Sequence, residues 1–553
     1  MTPGLMQTAP LSTTAILRHG AANHGRRQIV SRTVEGDIVR YDYAQLARRA
    51  ERLAKALKDL GVRPGDRVAT LAWNTHRHLE LFYAVPGLGA VLHTVNPRLF
   101  EGQIGYILRH AGASVLLFDP SFAATVDRLK DQVPDLRHFI LLTDEAHAAP
   151  GAVGALCYET LLAAQTPGFD WPVVDENAGA VLCYTSGTTG DPKGVLYSHR
   201  SIVLHAMAGG LSGAFGLSAH DVIMPCSSMY HATAWGLPYM ALINGCKLVL
   251  PGDRFDPPSL HSLITGEGVT FSGGVPTIWT MYLAYLAEQG ASPGRLNRVV
   301  IGGSAVPRVM AETFKQRYGV TVLQIWGMTE TSPMGVVATT TPDLDDLTED
   351  ERDDVIWTRQ GRTQFGIELK IVDGSGAELP RDGQASGALL VRGPWTLRRY
   401  YRGERDVVDA QGWFDTGDIA TIDAAGFMRI TDRTKDVIKS GGEWISSIDL
   451  ENVAVGCPGV RIAAVIGARH PKWEERPLLV IEPHDGHVLT RDAVLDFLRP
   501  QIARWWTPDD VIFADIPLTA TGKIDKKRLR DTYRDHLMEQ PAPRDAPVAQ
   551  TQS

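Results

Sequence analysis

The sequence predicts an α/β fold: a large N-terminal domain of parallel sheets with flanking helices, then a small β subdomain, then a small α+β domain at the C-terminal end. Three observations predict it. Helical and strand-like segments alternate through the first part of the chain, the pattern of parallel sheets covered on both faces. After about Thr363 the segments become short and alternating, separated by Gly and Asp turns. Beyond Asp436 helices and strands mix over about 110 residues, enough for an independent domain.

The segment YAQLARRAERLAKALKDL, residues 43–60, carries apolar residues at helical spacing, and Gly61, Pro64 and Gly65 then introduce the strand-like RVATLAW. The same order recurs at Gln103 to His110 before SVLLFD, at Ser259 to Thr265 before VTFSGGVP, and in AETFKQRYGV before TVLQIWG. ELKIVD, GALLVRG and FMRITD are the strands of the β subdomain. In the last part SIDLENVAV and RDAVLDFLRPQIA read as helices, and IAAVIGA and LLVIEP as strands. The tail 540–553, rich in Pro and Ala without apolar periodicity, reads as disordered.

With 553 residues, 44% hydrophobic and 21% charged, the chain has the size of a multi-domain protein and the composition of a soluble globular one. A net charge of −8 gives no long-range attraction for nucleic acid, yet leaves room for a local basic pocket around a phosphorylated small molecule. The five cysteines, Cys157, Cys183, Cys226, Cys246 and Cys457, are scattered without a CxxC pair, so reduced cytosolic thiols are expected. No apolar signal-peptide centre occurs near the N-terminus, and the most apolar window, Leu79 to Val95, is broken by Glu80, Pro86 and His93. A cytoplasmic protein without integral membrane association is the expectation.

The strongest chemical signal is YTSGTTGDPKG at 184–194, directly after the strand-like AGAVLCY. Its small hydroxyl and glycine residues, Thr185, Ser186, Gly187, Thr188, Thr189 and Gly190, allow backbone N–H groups to turn toward phosphate oxygens, and Lys193 adds a positive charge. The GK[ST] ending of a Walker loop is missing. Further along stand MYHATAW at 229–235, VIGGSAVP at 300–307, QIWGMTETSP at 324–333, WFDTGDIA at 413–420, DRTKDVIKSGGEWIS at 432–446 and PLTATGKIDK at 517–526. Together and in this order they resemble the signature segments of the adenylate-forming superfamily of acyl-CoA synthetases, peptide-synthetase adenylation domains and beetle luciferases. The resemblance runs from about Gln7 to Leu537.

The resemblance implies an N-terminal adenylation domain over 1–432, a hinge at 433–437 and a mobile C-terminal domain over 438–539. It implies ATP, Mg²⁺ and coenzyme A as reactants, a small carboxylic acid as substrate, and a homodimer. Thr185 and Glu330 match the Mg²⁺ site, and Thr329 the contact to the α-phosphate. Gly303, Ser304 and Ala305 match the segment lying against adenine, with Gln324 and Ile325 on its other side. Asp418 and Arg433 match the ribose partners, and Lys435 falls at the hinge. Ala232, Trp235, Trp326, Gly327, Lys439 and Trp444 complete the nucleotide contacts by the same likeness. Lys523 matches the lysine that bridges the substrate carboxylate and the α-phosphate, where positive charge on phosphorus is what the step requires. Gly441, Gly442, Trp444 and Glu475, with Trp473 beside it, fall on the coenzyme A side.

IKSGGEWISSIDLEN and HPKWEERP most resemble medium- and long-chain fatty-acyl-CoA synthetases and ligases of methylthioalkanoates. His231, one helical turn before Trp235, resembles a residue closing the acyl or thiol channel, and Trp235 resembles the gate to the acyl tail. Trp326 and Pro333 would line that pocket, and the bulk of Trp326 favours short and medium acids, including thioether or aryl ones. Arg398 and Arg399 depart from the family's usual glycine before paired tyrosines. Loading of a carrier protein, long-chain specificity, and a non-catalytic ATP-binding role remain as alternatives.

Overall fold

The computed structural model describes residues 2, 4–148, 154–185, 191–433, 435–440, 443–519 and 523–538. They fall into two compact units, Met1–Thr416 with Ala420–Ile430, and Gly417–Ile419 with Thr431–Ser553. The tail expected to be disordered lies outside the described residues.

The first unit holds a seven-stranded sheet in the order Leu156–Cys157, His138–Leu141, Ala113–Phe118, Arg67–Leu71, Val91–Thr94, Gly179–Thr185 and Lys193–Ser198. All its pairings are parallel except the last, which is antiparallel because the short connection after Thr185 cannot make a crossover. Ala113–Phe118 is buried at every residue, as a parallel strand covered on both faces must be. The helix predicted over 43–60 is Tyr43–Asp59, started by Asp42, whose side chain accepts from the Gln45 backbone while Gln45 caps in return. The most apolar window is the wholly buried helix His76–Gly87 and the strand Val91–Thr94. Glu80 on that helix is buried but satisfied, by Arg49 Nε at 2.7 Å and the Tyr158 hydroxyl at 2.5 Å. Among the described residues no helix is long and apolar enough to cross a membrane.

A nine-stranded sheet runs Arg362–Thr363, Val336–Val337, Thr321–Trp326, Arg298–Ile301, Phe271–Gly274, Val222–Pro225, Lys247–Leu250, Gln28–Arg32 and Ile38–Asp42. Its six central strands pair in parallel, so their C-terminal ends all emerge at one edge. The β-subdomain strands appear as Glu368–Val372, Gly387–Arg392, Phe414–Ile422 and Met428–Arg433 in one sheet.

The second unit is a sheet of Glu443–Ile445, Ile438–Ser440, Glu474–Pro483 and Val460–His470, with Asp510–Phe513 added beside Glu474–Pro483. Alternate residues of Val460–His470 enter opposite cores, Ala463 and Val465 on one face, Ala464 and Ile466 on the other. The helix expected over RDAVLDFLRPQIA stops at Leu498, because Pro500 has no N–H to continue the ladder.

Candidate active site

The strand Gly179–Thr185 ends where Thr185 pairs with Lys193, so both ends of the predicted phosphate loop are held together by a ladder. Ser186, Gly187, Thr188, Thr189 and Gly190 themselves lie outside the described residues. Lys193 Nζ stands 4.9 Å from the centre of the Tyr400 ring, and the Tyr400 hydroxyl donates to Glu330 Oε1 at 2.8 Å. Burial first, then the Glu330 charge, raise the pKa of that hydroxyl, which keeps it a donor. The placement is fixed by backbone. Tyr401 N donates to Gly194 O at 2.8 Å, and Leu397 N to Glu330 O at 2.7 Å. The Tyr197 hydroxyl donates to Thr329 O at 2.7 Å. Arg398 and Arg399, whose departure from pattern cast doubt on this turn, both clasp Asp406, at 2.8 and 2.7 Å. The tyrosines after them are held by their own bonds, Tyr401 N to Gly194 O and the Tyr400 hydroxyl to Glu330.

Three predicted segments follow parallel strands of the nine-stranded sheet, two of them neighbours and the third separated from these by Phe271–Gly274, so topology delivers all three to one edge. Gly303, Ser304 and Ala305 follow Arg298–Ile301, and Gly327 to Glu330 follow Thr321–Trp326. Gly303 has φ 88°, a conformation glycine adopts without strain. A Cβ at Gly302 would lie 2.4 Å from the Ile325 side chain, and one at Gly327 only 1.4 Å from the Pro333 carbonyl oxygen. The loop 327–335 thus closes on itself too tightly for any side chain there. The buried ring of Trp326 lies on Gly335. The Gln324 side chain donates to the carbonyls of Trp357 and Arg359 at 3.0 and 3.2 Å, so its amide group serves the fold.

The third segment, 226–235, follows Val222–Pro225. His231 and Trp235 are not separated by a right-handed helical turn as the spacing suggested. Ala232, Thr233, Ala234 and Trp235 have φ of 43, 54, 50 and 59°, a left-handed turn completed by Gly236 at 77°. Such backbone costs about 1 kcal/mol or more per residue and needs outside support. The Ser228 carbonyl accepts from both His231 N and Ala234 N, at 3.0 and 3.2 Å. Behind it stands Asn74, fully buried, accepting from Met229 N at 2.8 Å and donating to Pro225 O and Ser227 O at 3.0 and 2.9 Å. Trp235 is buried with its ring beside Gly273. Sequence reasoning missed Asn74 and Tyr400. The Asn that follows the apolar run RVATLAW and the tyrosine pair were the only signals available for them.

In the second unit, Arg433 Nε lies 3.4 Å from Oδ1 of the buried Asp418. Lys435 is exposed in a turn where Asp436 N and Val437 N both donate to Arg433 O at 2.9 Å, and Asp436 pairs with Arg530. Lys439 pairs in register with Trp444, and Lys439 N donates to Glu475 Oε2 at 3.2 Å. Gly441, Gly442 and the Trp444 side chain lie outside the described residues. Trp473 packs edge-on against Trp505 at 4.9 Å. Lys523 is held against Thr519, Thr519 N donating to Lys523 O at 2.7 Å and Lys523 N to Thr519 Oγ1 at 3.2 Å.

Residues 17–401 match the family described as AMP-binding enzyme, and residues 449–523 the AMP-binding enzyme C-terminal domain. The chain is 46% identical to the 3-methylmercaptopropionyl-CoA ligase of Ruegeria lacuscaerulensis, over 97% of this chain and 99% of that one. It is 45% identical to a medium-chain-fatty-acid–CoA ligase of Ectopseudomonas oleovorans, over 97% of this chain and 98% of the other. Among solved structures, ATP-bound MatB from Rhodopseudomonas palustris superposes with a TM-score of 0.79 at 26% identity, covering 95% of this chain and 100% of that one.

Proposed function

The chain belongs to the AMP-binding enzymes, in their acyl-CoA ligase branch, and from that premise we propose that it joins a short- or medium-chain fatty acid, or a thioether or aryl relative, to coenzyme A. The observation that carries the reading is the Lys193–Tyr400–Glu330 chain beside the Thr185–Lys193 pairing. It links a cation, a hydroxyl and a buried carboxylate, a set that would serve the phosphates of a nucleoside triphosphate and their metal ion, and so supports the reading.

In the first step a carboxylate oxygen of the acid attacks the α-phosphorus of ATP, and the bond to the β-phosphate oxygen breaks, releasing pyrophosphate. The carboxylate is already ionised at neutral pH, so no base is needed. Lys523 would supply positive charge to the phosphorus centre and Lys193 would steady the phosphates. Thr185 and Glu330 would hold Mg²⁺. A hydroxyl and a carboxylate are the hard oxygen donors that ion takes alongside phosphate oxygens, and the Tyr400 hydroxyl orients the carboxylate. The ion, when bound, neutralises phosphate charge. Asp418 and Arg433 would bind the ribose, and Gly303 to Ala305 the adenine. In the second step the thiol sulfur of coenzyme A attacks the acyl carbonyl, AMP leaves with its oxygen, and the thiol proton passes to solvent.

Trp235, His231, Trp326 and Pro333 are the proposed acyl-side residues, with Trp326 limiting chain length. Gly441, Gly442, Trp444 and Glu475 are proposed for the coenzyme A side, with 433–437 the hinge of a mobile C-terminal domain over 438–539. A homodimer and a cytoplasmic setting complete the reading, the latter supported by five unpaired cysteines, four of them buried. Purified protein with ATP, Mg²⁺, coenzyme A and a panel of acids from acetate to palmitate, with thioether and aryl members, should form acyl-CoA and AMP, best with short or medium acids. Release of ADP, or no thiol consumption with any acid, would overturn the proposal.

A further inference from the structure

Outside the residues assigned so far, His205 is a buried polar group that packing leaves unpaired at one ring nitrogen. It lies on the helix His199–Gly210 with only 2% of its surface exposed. Its Nε2 has no hydrogen-bond partner among the described residues. Burial pushes its pKa down to about 3, so the ring is neutral near pH 7, with one N–H and one lone pair. Buried polar atoms are paired in the great majority of cases, because an unpaired one forfeits its hydration without compensation.

The surroundings of the ring locate it. A Cβ on Gly236, the residue after Trp235, would lie 2.7 Å from the His205 Cε1 and 2.8 Å from its Nδ1, so the backbone of the left-handed turn runs against the imidazole edge. On another side is Trp395, edge-on at 6.2 Å, whose indole N–H donates at 2.9 Å to the carbonyl of Met334, the neighbour of Pro333. The Met240 methyl lies near both Gly209 and Gly236, and the Met334 methyl near Gly209. His205 therefore stands against the turn that carries Trp235 and beside Trp395, which is bonded to the neighbour of Pro333.

We propose that His205 is a specificity-determining residue of the acyl site, its Nε2 pairing with a heteroatom carried along the chain of the acid. This rests on the assignment of Trp235 and Pro333 to the acyl side. The ligand class is an alkanoic acid with a thioether, ether, keto or hydroxyl group away from the carboxylate. A neutral imidazole pairs with any of these as donor or acceptor, whereas a plain methylene leaves the nitrogen unsatisfied.

The test uses the acid that the wild type turns over best and analogues in which one methylene at a time is replaced by sulfur or oxygen. For each, kcat/KM is measured on wild type and on His205→Phe, and the heteroatom-to-methylene ratio within one protein cancels any general loss. At one position along the chain the wild type should favour the heteroatom, and His205→Phe should lower that ratio about tenfold. His205→Leu gives the same comparison if the phenylalanine variant does not fold. Absence of any favoured position in the wild type, or persistence of the preference in the variants, overturns the role of His205. Unchanged KM for every acid in Trp235→Ala overturns instead the acyl-side assignment beneath it.

Discussion

Asp119→Asn tests whether a buried carboxyl next to the site's support is held protonated. Asp119 follows the strand Ala113–Phe118 and is 1% exposed. One oxygen accepts from Trp73 N at 2.6 Å, and the other has no partner among the described residues. Burial raises its pKa to about 7, only partly countered by the Trp73 N–H. An unfolded aspartate titrates near 3.9. From about pH 4 to 7 the folded state therefore keeps a proton that the unfolded state has lost, and the stability of the folded state falls as pH rises through that window. Measured from the unfolded pKa, the penalty is about 1.5 kcal/mol at pH 5 and levels off near 4 kcal/mol above pH 7. Asparagine keeps an acceptor for Trp73 N and has nothing to ionise. The variant should thus gain about 3 kcal/mol on the wild type between pH 5 and pH 8, or roughly 3 °C in the transition of a unit this large. Scanning calorimetry of both proteins at unit steps of pH reads this directly. A difference that stays flat, or wild type gaining on the variant as pH rises, refutes the reasoning.

Tyr400→Phe removes the hydroxyl that orients Glu330 and should lower the rate of acyl-adenylate formation by about tenfold or more, with transfer from pre-made acyl-adenylate retained, as single-turnover kinetics would show. Asn74→Ala leaves Met229 N and the carbonyls of Pro225 and Ser227 without their partner, so the left-handed turn loosens; KM for the acid should rise while KM for ATP holds, in steady-state assays varying each. Trp326→Ala should shift the preferred acid to longer chains, each added buried methylene contributing up to about 0.8 kcal/mol, as kcat/KM over acids of increasing length would report.

The fold was legible where side-chain periodicity is strong. The fully apolar ASVLLF and the amphipathic helix after Asp42 declare themselves, and strand–helix alternation announces the parallel edge to which 226–235, 302–305 and 327–331 are delivered. What could not be read depends on distant residues. Local propensity argues against four consecutive non-glycine residues in left-handed backbone at Ala232 to Trp235, and the clamp that opposes it, Asn74, lies 155 positions from Met229. Tyr400 meets Glu330 across 70 positions, so the tyrosine pair was visible as a motif but not as the link from Lys193 to the carboxylate. The Arg49–Glu80 pair inside the core is silent in sequence for the same reason, since nothing local says that a buried glutamate has found its partner. His205 reads as one more apolar-face residue of its helix, and only the packing around it reveals a nitrogen without a partner.

The central claim is that the acid is activated as its adenylate before any thiol takes part, with Lys523 supplying the charge. Exchange of labelled pyrophosphate into ATP, measured without coenzyme A on wild type and Lys523→Ala, tests it most directly. The wild type should exchange label only when the acid is present, and Lys523→Ala should exchange on the order of a hundredfold to a thousandfold more slowly while still passing a pre-made acyl-adenylate to coenzyme A. Exchange that waits for coenzyme A, or a Lys523→Ala protein that exchanges at the wild-type rate, would contradict the account.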